Sequence, residues 1–135
     1  MYGHFVDMPD SNQGAVPTDR VPLRELAEAH HKLIGSAVNT NLLASDAAYR
    51  AVLAREFSSV TPENVMKWAL VEPRRGVSEY SAADKLLEFA RQHDQVVRGH
   101  TLVWHNQVPA WLTEAALPTA ELADVLHQHI VQEVS

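Results

Sequence analysis

Apolar positions along the chain switch repeatedly between helical spacing and short continuous runs. From Pro22 to His31, Leu23 and Leu26 or Ala27 share one face behind an Asp19 able to cap, which predicts a short helix. "KLIGSAV", residues 32–38, is apolar with small residues at 35–37 and predicts a buried strand. Next, Ser45 or Asp46 can cap "DAAYRAVLAREF", where Tyr49, Val52, Leu53 and Phe57 line one helical face and Arg50, Arg55 and Glu56 can meet water. "SSVT", 58–61, predicts a second strand. "SAADKLLEFARQH", from Ser81, gathers Leu86, Leu87, Phe89 and Ala90 into a second amphipathic helix. "QVVRGHTLVW", 95–104, predicts a third strand around Gly99, followed by a Pro-bearing loop. Leu122, Val125, Leu126, Ile130 and Val131 predict a last helix over 117–134.

Strand and helix therefore alternate three times, the signature of an α/β domain with a parallel sheet and crossover connections. Residues 1–18 are rich in Pro, Gly, Asp, Ser and Asn without periodicity and read as a linker or lead-in, leaving 19–135 as the folded domain. Two polar clusters, "TPEN..K" and "GH...WHNQ", fall at or after the carboxyl ends of predicted strands. Ligand sites of α/β folds are built there, so one site from two or three strand-end loops is expected.

Composition narrows the partner. The chain has 135 residues, 46% of them hydrophobic, enough for one ordinary domain. Its formal charge of −6 and the lack of any basic run longer than two residues argue against nucleic acid or an anionic membrane surface. No stretch approaches the ~18 apolar residues of a membrane span, and the first residues lack the pattern of a signal peptide. Cysteine is absent, which excludes disulfides and thiolate metal sites.

The densest chemistry lies in "TPENVMKW", 61–68, where Glu63, Asn64 and Lys67 crowd together. Read structurally, Glu63 and Lys67 could be a surface ion pair one helical turn apart, worth ~0.2–0.5 kcal/mol. His100 and His105 would not converge on a metal from a strand and a loop, and no HExxH pattern or neighbouring carboxylate supports one. No metal or cofactor is called for. His127 and His129 point to different faces of their helix and, like His30 and His31, read as solvated or partly packed. Met66 reads as core.

At these residues a family resemblance emerges. "FSSVTPENVMKW" at 57–68, "VEPRRGVSEYSAADKLLEFA" at 71–90 and "RGHTLVWHNQVPAWL" at 98–112 resemble the family 10 glycoside hydrolases, endo-1,4-β-xylanases, in order and spacing. "PLRELAEAHHKLIG" and "GSAVN" at 35–39 resemble that family's entry to its first strand, so the similarity covers roughly 22–134. It implies the N-terminal part, about three βα units, of a (β/α)8 TIM barrel, a fold of about 250 residues or more when whole. It further implies cleavage of the xylose backbone of xylan with retention, and an extracellular setting. Glu63, Asn64 and Lys67 would bind hydroxyls on the glycone side, the first accepting, the last donating and Asn64 doing both. His100 and Trp104 would hold the sugar at the cleavage point, Gln107 would add a glycone-side contact, and His105 would orient its neighbours. Trp68 and Trp111 are expected to pack rather than bind.

Retaining hydrolysis uses two carboxyl groups, an acid/base and a nucleophile. In the resembled family the first follows an Asn after the fourth strand and the second ends the seventh. No Asn here precedes a Glu. The expectation is a catalytic domain truncated before its fourth strand, with no catalytic residue, inactive alone and dependent on the missing part of its own barrel. The alternatives are a non-catalytic xylo-oligosaccharide-binding product or a self-associating remnant whose copies cover one another's open edges.

Overall fold

The computed structural model describes residues 19–135; the lead-in assigned to 1–18 lies outside them. Three parallel strands, β1 (Gly35–Val38), β2 (Ser59–Pro62) and β3 (Val96–Val97), form one sheet in the order β1-β2-β3. Gly35 pairs with Ser59 and Val38 with Pro62, while Ser59 and Val60 pair with Val96 and Val97. Helix α1 (Leu23–Glu28) precedes the sheet; α2 (Thr40–Ser45) and α3 (Ala47–Glu56) connect β1 to β2. The β2-to-β3 connection carries α4 (Trp68–Val71) and α5 (Ser81–Gln92), and α6 (Ala110–Glu114) and α7 (Thr119–Val134) follow β3.

Only one face of the sheet is packed. Val38, Val60 and, half-buried, Val97 meet Leu43, Leu53, Leu86, Phe89 and Ala90 from α2, α3 and α5 in a single core cluster. Gly35 and Ala37 on the other face are exposed, as is Val96. The first strand, expected to be buried, is therefore buried on one face only. Gly35 suits its place: a Cβ there would come within 3.3 Å of the Ser59 carbonyl oxygen.

Other expectations change for local reasons. The third strand was predicted over 95–104 but ends at Val97. β3 takes its rungs from the even-numbered residues of β2, Val96 N–H donating to Ser58 O and Arg98 N–H to Val60 O, each at 2.9 Å. The next rung needs an N–H at position 62, and Pro62 has none. Three short helices went unpredicted: α2, capped by Asn39, α4, which follows directly on the polar "TPEN..K" cluster, and α6, within what read as a Pro-bearing loop. Asp46 caps α3 as expected, accepting from Tyr49 N–H at 3.0 Å. Asp19 does not cap α1, whose cap position is Pro22.

The first helix also fails to bury its apolar face, Leu26 being 52% exposed. It is held by its polar residue instead. Arg24 donates to the carbonyls of Ala54, His93 and Asp94 at 2.9–3.1 Å, tying α1 to the ends of α3 and α5.

Candidate functional site

Each strand delivers a polar residue at its carboxyl end. β1 runs into Asn39, β2 into Glu63 and Asn64, and β3 into the loop that carries Trp104 and Gln107. Asn39 does two things at once: its Oδ1 accepts from the N–H groups of Asn41 and Leu42, capping α2, while its Nδ2 donates to Glu63 Oε2 at 3.0 Å. Tyr49 O–H in turn accepts from the backbone N–H of Asn39 at 3.1 Å, anchoring this corner on α3.

Asn64 is the hub. Its Oδ1 accepts from Lys67 Nζ at 3.1 Å and from Gln107 Nε2 at 3.4 Å, bridging the β2 and β3 loops. The backbone repeats the bridge, Ala69 N–H donating to Gln107 O at 3.1 Å. Lys67 is 7% exposed, and its ammonium sits 4.4 Å from the centroid of the Trp104 ring. Burial of an ammonium is costly unless its charge is met, and here an amide oxygen and an indole face meet it. Gln107 Oε1 is buried without a protein donor. Alternating acceptors and donors beside a half-exposed indole make an open shelf suited to a ligand with several hydroxyls and an apolar face.

The sequence-predicted residues Asn64, Lys67, Trp104 and Gln107 thus converge, and Glu63, next to Asn64 in sequence, is bonded to Asn39. Among the described residues no hydrogen bond or ion pair joins His100 to them; it lines an adjoining cavity of about 480 Å³ with Met66, Tyr80, Asp84 and Glu133. The surface-pair alternative for Glu63 and Lys67 is not what forms, since each has a different partner. His105 meets Trp104 edge to face at 5.6 Å. Among the described residues no three His, Asp or Glu are grouped to hold a metal ion, and no helix is long and apolar enough to cross a membrane.

Behind the shelf lies a buried polar cluster that sequence reasoning missed. Trp68 stacks on His129 with centroids 4.0 Å apart and planes at 9°, and donates from Nε1 to Glu72 Oε2 at 2.8 Å. His129 Nε2 lies 2.9 Å from the Leu102 carbonyl oxygen. Trp111 meets Trp68 edge-on at 6.2 Å and donates to Glu72 O at 2.9 Å, so both tryptophans pack, as expected. His129, read as solvated or partly packed, is in fact buried at 3% exposure. The available signal was its spacing: four residues after Val125, it shares that residue's buried face. Asn39 had a signal too, as the first residue beyond the strand in "GSAVN".

Helix-backed parallel strands that gather a polar site at their carboxyl ends are the arrangement of an α/β fold, of which this chain forms three units. Residues 22–135 match the model of Glycosyl hydrolase family 10, and the chain belongs to that family. Endo-1,4-beta-xylanase B of Thermotoga neapolitana is 44% identical over 117 residues, covering 85% of this chain and 34% of that protein. Native xylanase 10B from Thermotoga maritima superposes with a TM-score of 0.78 at 46% identity, over 82% of this chain and 35% of that one. Xylanase 10B from Thermotoga petrophila, solved in complex with xylobiose, gives 0.79 at 43% identity, over 84% and 35%. The chain spans about a third of the length of these relatives. In a closed barrel the sheet face carrying Gly35 and Ala37 is the interior.

Proposed function

We propose that this chain supplies the glycone-side sugar site of an endo-1,4-β-xylanase that cleaves xylan with retention. The observation that carries the reading is Asn64, whose carbonyl oxygen gathers Lys67 and Gln107 at the strand ends, with the Lys67 ammonium against the Trp104 ring. Lys67 and the amide of Gln107 donate to sugar hydroxyls, Glu63 accepts, Asn64 does either, and Trp104 offers its face to the ring. His100, from the same loop as Trp104, closes on the sugar at the cleavage point. Binding energy gathered here helps distort the reacting sugar toward the transition state.

The chain by itself carries out no hydrolysis. Retention needs two carboxyl groups about 5–5.5 Å apart, and Glu63 is the one carboxylate of the shelf, occupied as Asn39's partner. The extracellular setting of xylan places the whole enzyme outside the cell. Calorimetric titration of the chain with xylobiose and xylotriose, alongside a reducing-end assay on xylan, tests both statements. Binding without turnover is the expected result. Turnover abolished by Glu63→Gln would overturn the assignment of roles.

A second reading is favoured by the strand order: among the described residues, β1 and β3 each have one unpaired edge. Exposed edges invite pairing between copies. A mass that rises with concentration, with no sugar bound, would support self-association instead.

A further inference from the structure

We infer that His129 is a positioning residue for the sugar shelf, acting on Trp104 through the Leu102 carbonyl without touching sugar. This rests on the shelf being a sugar site. His129 belongs to α7, far in sequence from every shelf residue, yet it is buried between the two segments that build the shelf. On one side its ring stacks on Trp68, the residue immediately after Lys67. On the other, Nε2 meets Leu102 O at 2.9 Å, two residues before Trp104. A carbonyl oxygen only accepts, so Nε2 must carry the proton and donate. The Trp68 side is itself fixed: Glu72 Oε2 accepts from the Trp68 indole, and Glu72 Oε1 accepts from Gly76 N–H at 2.8 Å.

The consequence is geometric. Lys67 and Trp104 must keep a 4.4 Å approach although they sit on different loops. The direct hydrogen bonds between those segments are Ala69 N–H to Gln107 O, the longer Gln107-to-Asn64 bond and Trp111 Nε1 to Glu72 O, all beyond Trp104 in sequence. His129 supplies the tie on the other flank. With the loop held on both sides of Trp104, the indole face is presented in one place before any ligand arrives, which lowers the ordering cost of binding.

The test uses the full chain, labelled with 15N at its three tryptophans, and xylobiose as probe. His129→Phe keeps an aromatic ring for Trp68 but cannot donate; His129→Gln loses the stack but its amide reaches the carbonyl. The expected result is that His129→Phe shifts the Trp104 indole signal and weakens xylobiose binding about tenfold, the scale of one lost hydrogen bond, while His129→Gln restores both toward wild type. A role confined to packing would move only the Trp68 and Trp111 signals. An unmoved Trp104 signal with unchanged affinity in the Phe variant overturns the proposal, as does an equal loss with Gln. If His129→Phe fails to fold, His129→Asn, too short to reach Leu102, is compared with His129→Gln in its place. A wild-type chain that binds no xylobiose would refute the sugar-site reading, and the indole signals would still decide the positioning role.

Discussion

The ammonium of Lys67 lies 4.4 Å from the centroid of the Trp104 ring and 3.1 Å from Asn64 Oδ1, so one cation joins the two loops that form the shelf. Cation–π contacts range from ~0.5–1 kcal/mol at exposed sites to ~2 when desolvated, and hydrogen bonds to charged groups from ~1.5 to 3 kcal/mol. Both act on shelf geometry at the strand ends more than on the core, which packs against one face of the sheet. Lys67→Met, similar in length and apolar, is therefore expected to leave the melting temperature within a few degrees while lowering xylobiose affinity about tenfold or more. Calorimetric titration beside a thermal melt checks this. Unchanged affinity would remove Lys67 from the site.

Stability resides on the packed face of the sheet. Leu86 is fully buried against Val38, Val60 and Leu53, where α5 crosses the strands. Leu86→Ala should cost ~2–5 kcal/mol, the range for a large-to-small change in a packed core. Val96, 52% exposed on the opposite face, should tolerate Val96→Ala at a cost of ~0.5 kcal/mol or less in this chain. Urea midpoints of the two variants give the comparison. Similar losses would mean that the open face is packed in solution.

The sequence showed these layers unevenly. Long elements with a clear period were legible: α5 was predicted from Ser81 to within a residue of its end, and Leu86, Phe89 and Ala90 are its buried face. Short elements were not, because α2 and α4 each depend on a tertiary partner rather than on periodicity. Asn39 can cap α2 only because β1 ends there, and Trp68 is buried only because His129 arrives from α7 to stack on it. The shelf residues came from a family resemblance, and the geometry then joined four of the six, with Glu63 tied to Asn39 instead. Its buried support could not be seen in advance, since Glu72 Oε2 and His129 Nδ1, 3.5 Å apart, meet only through folding and carry no shared local pattern.

Glu79 gives a pH signature outside the site. The hydroxyl and then the backbone N–H of Ser81, the first residue of α5, hold its carboxyl below the ordinary value of 4.5. A carboxyl whose folded value is depressed binds fewer protons folded than unfolded, so its contribution is present above the unfolded value and is lost as pH falls through the folded one. Glu79→Gln should remove this dependence, lowering the plateau above about pH 4.5 while leaving stability below the folded value nearly unchanged, so that the acid limb becomes shallower. Denaturant unfolding at successive pH values reads the slope. A slope identical to wild type would mean the Ser81 contact does not persist in solution.

Asn39 separates helix capping from site geometry within one side chain. Its oxygen caps α2 and its nitrogen donates to Glu63 Oε2. Asn39→Asp keeps an oxygen for the cap, and a carboxylate is as good a cap as a carboxamide at a positive helix end. The same change removes the donor and sets two carboxylates where one hydrogen bond of 3.0 Å stood. Asn39→Ala loses both functions. The expected pattern is a loss of ~1 kcal/mol of stability in the Ala variant and of about half that or less in the Asp variant, with sugar affinity reduced in both. Were Asn39→Asp to bind xylobiose like wild type, Glu63 would need no partner to hold its place. A pattern in which affinity tracked stability across both variants would mean that Asn39 acts through α2 alone, and the hydrogen bond to Glu63 would carry no functional weight.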